Sequence, residues 1–142
     1  MLTVKQLLDR KGSQIYSIGP EEPVFEAIQL MDDKYIGALL VMRGAELVGI
    51  VSERDYARKV ILLGRSSAET PVWQIMSSPV TTVSPEHTLA ECMQIVTDRR
   101  VRHLPVVQNG RVLGVVSIGD LVKAVMEEQQ QQIEQLERYI TS

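Results

Sequence analysis

The chain is expected to be an α+β protein: two β-α-β-β-α repeats packed with pseudo-two-fold symmetry, plus a C-terminal helix. Three observations carry this. The phrase GIVSERD (Gly49–Asp55) returns as GVVSIGD (Gly114–Asp120), 65 residues later. Ser17–Tyr56 laid on Thr82–Leu121 at that offset needs no gap, and 11 of the 40 positions are identical. Within both copies the apolar residues pass from helical spacing to two short continuous runs. Such self-similarity marks one supersecondary unit written twice, and a unit this small cannot bury its apolar face alone.

The elements follow in order. Val4-Lys-Gln-Leu-Leu8 resembles Val72-Trp-Gln-Ile-Met76, 68 residues on, so each copy has a short prelude, and the first carries three extra residues after it. Short strands are expected near Ile15–Ile18 and Val80–Val83. Val24, Ala27, Ile28 and Met31 then fall at helical spacing, as do Leu89, Cys92, Met93 and Val96. Thr88-Leu-Ala-Glu91 predicts a capping box at the second of these helices, and Pro23 removes it from the first. Leu39–Met42 and Leu47–Val51 predict a hairpin around Arg43–Glu46. Leu104–Val107 and Val112–Val116 predict another around Asn109-Gly110, two residues that tolerate positive φ. Ser52 and Ser117 each open a further helix.

The division read from the repeat is 1–70, 71–127 and a C-terminal helical extension, 128–142. No proline or glycine occurs from Asp120 to Ile140, so the last helix is expected to run on for roughly 30 Å at about 1.5 Å per residue. Val122, Met126, Ile133, Leu136 and Ile140 mark a stripe that Gln129 interrupts. That makes three imperfect heptads. The expectation is a helix packed on its own module or on a symmetry mate.

Composition excludes several functions. With 44% hydrophobic residues the 142-residue chain can form a core, and disorder is not expected. A net charge of −3 gives no general attraction to nucleic acid or acidic membranes, and 4% aromatic content supplies few stacking platforms. The patch Arg99–His103 is the one stretch suggesting nucleic acid, and the acidic balance opposes it. Cys92 is the single cysteine, so no internal disulfide forms. The N-terminus lacks a signal-peptide core and no apolar run reaches membrane length, so a cytoplasmic protein is expected. His87, His103 and Cys92 show no metal-ligand spacing. Neither a nucleophile elbow nor a glycine-rich phosphate loop occurs, and the chain is not expected to be an enzyme.

The repeated phrase holds the candidate chemistry. Ser52 with Asp55, and Ser117 with Asp120, stand where a strand ends and a helix begins. Unpaired amides there suit phosphate, a serine hydroxyl can donate to it, and a carboxylate can accept from a ribose diol. The same Ser-x-x-Asp can equally be a capping box.

Taken with HLPVV (His103–Val107) and SPEHTLAECM (Ser84–Met93), the duplicated phrase and the element order make the chain resemble a tandem pair of CBS domains, a Bateman module, as far as about Glu127. The resemblance implies a non-catalytic sensor. Its clefts between repeats would take an adenosine-containing ligand such as AMP, ADP, ATP, NAD or S-adenosylmethionine. It implies signalling through a homodimer or an effector protein, with adenine nucleotide as bound ligand rather than catalytic cofactor. It also implies that Arg54, Arg102 and His103 face phosphate. Their counterparts are Gly119, Gly37 and Ala38, so the positive groups are asymmetric. Adenine is expected against Ile18, Ile36, Val83 and Val101, with Thr82 and Ser17 as minor contacts. One strong and one weak site, or one long ligand touching both, would fit this asymmetry. The competing reading is an interaction module with empty pockets, acting through its terminal helix.

Overall fold

The computed structural model describes residues 2–141. The order is α1 (Val4–Lys11), β1 (Ser17–Ile18), α2 (Val24–Lys34), β2 (Ala38–Arg43), β3 (Glu46–Ser52) and α3 (Glu53–Tyr56), which continues as a π-helical turn, Ala57–Ile61. A 3-10 turn (Val72–Gln74) leads to α4 (Leu89–Arg99), β4 (His103–Gln108), β5 (Arg111–Ser117) and α5 (Ile118–Thr141). The fold is the expected mixture of α and β, with two repeats and a C-terminal helix.

The first repeat forms a three-stranded sheet, β1-β2-β3, with β1 parallel and β3 antiparallel to β2. In the second, β4 and β5 pair alone. The strand expected near Val80–Val83 shrinks to a single bridge between Val83 and Val106. Proline explains the difference. In the first repeat Leu40 N donates to Tyr16 O at 3.2 Å. The residue equivalent to Leu40 is Pro105, which has no N–H to give. Both hairpins turn through positive φ, at Gly44 (62°) in one and at Asn109 (53°) and Gly110 (76°) in the other. The capping box of α4 forms, with Glu91 N donating to Thr88 Oγ1 at 3.1 Å and Thr88 N to Glu91 Oε1 at 2.9 Å. Pro23 makes no side-chain cap on α2.

The chain divides into two compact units that are not contiguous. One takes the chain up to Ser13, Thr82–Gln108 and the chain from Gly114 onward; the other takes Gln14–Thr81 and Asn109–Leu113. The preludes are exchanged. Within the second-repeat unit Val4 N donates to His87 O (2.8 Å), Lys5 N to Pro85 O (3.0 Å) and Leu89 N to Leu2 O (2.9 Å). Within the first-repeat unit the equivalent bonds are Val72 N to Glu22 O (2.9 Å), Trp73 N to Pro20 O (3.0 Å) and Val24 N to Thr70 O (2.8 Å).

The glycine of the repeated phrase belongs to this exchange. A Cβ on Gly114 would lie 2.9 Å from Leu8 Cδ2, and one on Gly49 would run into Met76 Sδ. Leu8 and Met76 are equivalent residues of the two preludes. Each glycine is therefore the slot that receives the last apolar side chain of a prelude. The first-repeat core gathers Val24, Ala27, Met31, Leu39, Val41, Val51, Val60, Val72 and Ile75. Its counterpart buries Val4, Leu7, Leu8, Leu89, Cys92, Val96, Leu104, Val106, Val116, Leu121 and Ala124.

Helix α5 runs on without a break, as expected. Leu121 and Ala124 are buried, but every described side chain from Gln129 to Thr141 is exposed. The 24-residue helix is about 36 Å long at roughly 1.5 Å per residue. The other helices have at most 11 residues; α5 packs on its module through Leu121 and Ala124 and leaves its second half exposed.

Candidate functional site

Each repeated phrase turns a strand into a helix at its serine. Ser52 is the N-cap of α3, and its oxygen accepts from Asp55 N at 3.2 Å. Asp55 Oδ2 in return accepts from Ser52 N (2.9 Å) and Ser52 Oγ (3.1 Å). At the start of α5, Asp120 N donates to Ser117 Oγ at 3.1 Å and Ser117 N to Asp120 Oδ2 at 2.8 Å. Aspartate, the shorter acid, closes a capping box in both copies. The capping reading of Ser-x-x-Asp is thus realised in this state of the chain.

The strand before each hairpin reaches the same place. Gly37 O accepts from Glu53 N at 3.0 Å, and Arg102 O accepts from Ile118 N at 2.8 Å. Ala38 lies opposite Ser52 in the β2–β3 ladder. Gly37, Ala38, Ser52, Arg54 and Asp55 therefore meet at one strand–helix corner, with half-buried Ile36 preceding it. Ile18 pairs with Val41, three positions along β2 from Ala38 and so about 10 Å away. The corresponding corner in the second repeat holds Arg102, His103, Ser117 and Asp120, preceded by Val101. Val83, opposite Val106, is 2% exposed and belongs to the core, whereas Thr82 and Ser17 are exposed. Arg54 and Arg102 are also exposed.

Two lysines complete these corners. Lys11, the last residue of α1, places Nζ 2.6 Å from Asp120 Oδ2 and 2.8 Å from Val115 O. Lys59 Nζ lies 3.2 Å from Asp55 Oδ1 and donates to Ile75 O at 2.9 Å. The Lys59–Asp55 pair has i,i+4 spacing, which is legible in a sequence. Lys11 carries no such signal, because only the exchange of α1 brings it to Asp120.

Electrostatics separate the second corner from the first. Burial pushes the Asp120 carboxyl up, but hydrogen bonds from Lys11 and Ser117 and the Lys11 charge outweigh it and hold the group below its ordinary value. Burial lowers His103. Asp120 opposes that shift, while Lys11 and Arg102 add to it, so the imidazole is neutral near pH 7. The second-repeat unit thus gathers an ammonium, a guanidinium, an imidazole and an ionised carboxylate. Such a set can accept from a diol and donate to a phosphate. Among the described residues no three His, Cys, Asp or Glu side chains gather to hold a metal, and no helix is long and apolar enough to cross a membrane.

Comparison with known proteins agrees with this architecture. The family model "CBS domain" matches residues 4–61 and 72–127. The mitochondrial CBS domain-containing protein CBSX3 of Arabidopsis thaliana is 42% identical over 84% of this chain, which spans 61% of that protein's length. The CBS domain-containing protein YhcV of Bacillus subtilis is 30% identical, with 80% of each chain covered. A solved structure of a protein with CBS domains from Burkholderia ambifaria is 49% identical, covers 89% of this chain and 96% of its own, and superposes with a TM-score of 0.86. Two matched repeats, a shared fold and two equivalent strand–helix corners lead to one conclusion: the chain belongs to the CBS domain family, as a tandem pair.

Proposed function

We propose that this protein is a regulatory module, not an enzyme, that binds an adenosine-containing ligand, AMP, ADP, ATP or NAD(H), at its strand–helix corners and signals through a homodimer or a partner protein. The observation that carries the reading is Lys11 bonded to Asp120, with His103 near enough to feel both of them and the Arg102 charge. Asp120 Oδ2 takes the cap and the lysine, which leaves Oδ1 for a ribose hydroxyl. Lys11, Arg102 and His103 supply donors for phosphate. The first corner has Arg54 and Lys59 but no imidazole, so the second is the stronger site. The Burkholderia relative is described, provisionally, as a signal-transduction protein, which supports a regulatory role.

Isothermal titration with AMP, ATP, NAD, NADH and S-adenosylmethionine tests the reading. Binding below millimolar concentration is expected. Asp120→Ala should weaken it more than Asp55→Ala, and Arg54→Ala should weaken it at the first corner. If no adenosyl compound bound below that limit, the sensor reading would be lost. The alternative is an interaction module without ligand, and one observation favours it: both aspartates are already engaged by their own chain. Equal, negligible effects of the two aspartate variants on affinity would select it.

A further inference from the structure

We infer that α5 pairs with α5 of a second copy of this chain, antiparallel, along a seam from Val122 to Ile140. Val122, Met126, Gln129, Ile133, Leu136 and Ile140 recur at alternating spacings of four and three, the a and d positions of a heptad. Their apolar members are uncovered: Val122 is 44% exposed, Met126 63%, Ile133 51%, Leu136 60% and Ile140 71%.

The two halves of the stripe differ. Along the first half lies an open, largely apolar face made by α5 alone: Ile118, Gly119, Val122, Lys123, Met126 and Glu127, continuing to Gln130. Those residues occupy the a, d, e and g positions and one flank of the seam. In the second half every described side chain from Gln129 to Thr141 is exposed. Laid antiparallel against a second copy, each exposed second half covers the other's apolar first half. That arrangement is self-complementary, as two-fold pairing requires.

Charge chooses the direction. With the strands antiparallel and Met126 facing the partner's Leu136, Ile140 meets the partner's Val122 and Gln129 meets the partner's Ile133. The flanking e positions then bring Lys123 against the partner's Glu137, twice. In a parallel pair the facing e and g residues would be Ile118 with Lys123, Val125 with Gln130 and Gln132 with Glu137, with no opposite charges. Burial of Leu121 and Ala124 in the module anchors the helix, so the ordering cost that makes short isolated coiled coils marginal is already met in part.

The test uses full-length M126C and L136C, prepared separately, then mixed and oxidised. Cys92 is fully buried and stays silent. A mixed 126–136 disulfide, with neither variant cross-linking to itself, is expected, since facing positions fall within disulfide reach. Self-cross-linking of M126C would mean a parallel pair and would overturn the proposal, as would a chain that stays monomeric in sedimentation at about 100 µM. K123E should weaken association at low salt and K123E/E137K should restore it; equal loss in both would refute the register. None of these readouts involves a nucleotide, so they stand or fall independently of the ligand reading.

Discussion

Gly114→Ala tests the exchanged prelude most directly. The new methyl carbon would sit 2.9 Å from Leu8 Cδ2 and 3.3 Å from Cδ1. Leu8 is 8% exposed and branched, so it cannot swing aside into solvent without leaving the core. Overpacking of this kind costs about 1–3 kcal/mol. With a urea m-value of roughly 2 kcal/mol/M, a loss of about 2 kcal/mol lowers the unfolding midpoint by about 1 M. Leu8→Ala alone should cost about 2–3 kcal/mol, from the lower part of the range for buried leucine. In that background the added methyl enters vacated space, and a mid-strand alanine is no worse than glycine. Gly114→Ala should then be close to neutral, a coupling of about 2 kcal/mol in the double-mutant cycle. The assay is equilibrium urea unfolding of the four proteins at constant m. If Gly114→Ala cost the same in both backgrounds within about 0.5 kcal/mol, Leu8 would not occupy the slot and the reasoning would fail.

Three further outcomes are expected. Asp55→Ala and Asp120→Ala each remove the returning half of a capping box, the bond from the serine N–H to the carboxylate, worth about 1 kcal/mol in unfolding measurements. Because the folded Asp120 carboxyl lies below its ordinary 3.8, its contribution is present above that pH and fades as pH falls through the lower folded value. Asp120→Asn should flatten this acid limb in pH-dependent unfolding, and an unchanged limb would remove the assignment. A bound diphosphate should raise the pKa of His103, which is depressed in the free protein. Affinity for NAD, whose diphosphate does not titrate near neutrality, should therefore rise as pH falls from about 7 to 5; His103→Gln should abolish the rise, and an identical slope in the variant would exclude His103. Burial, aided by Glu91, pushes the Cys92 thiol from 9.0 to about 11. Native protein should then react with a disulfide reagent at pH 8 at least about 100-fold more slowly than unfolded protein, and equal rates would place the thiol outside the core.

Much of the fold was legible because the repeat samples it twice. The helix spacings, the hairpin at Asn109-Gly110 and the capping box at Thr88 are local features, set by residues within a few positions of one another. What escaped the sequence was non-local. Lys11 gives no sign of its partner Asp120, 109 residues away, and Leu8 gives none of Gly114. The missing strand at Val80 could have been foreseen from Pro105, whose effect lies in the strand it fails to bond. The corners were legible as Ser-x-x-Asp, but whether the carboxylates cap or bind could not be read, since one geometry serves both.

The exchange of preludes also bears on how the chain is made. Val72 closes on Glu22 across 50 residues, whereas Val4 closes on His87 across 83. The entropic difference between those loops is only about 0.5 kcal/mol, too little to order events. Synthesis from the N-terminus orders them instead. Most of the first-repeat unit, Gln14–Thr81, can assemble while the rest is still being translated. Residues 2–13 emerge before the rest of the pair, yet they must wait with Leu7 and Leu8 uncovered until α4 and β5 exist. Helix α1 is thus made before the elements it docks on, and a deletion that removed it would cripple the second repeat.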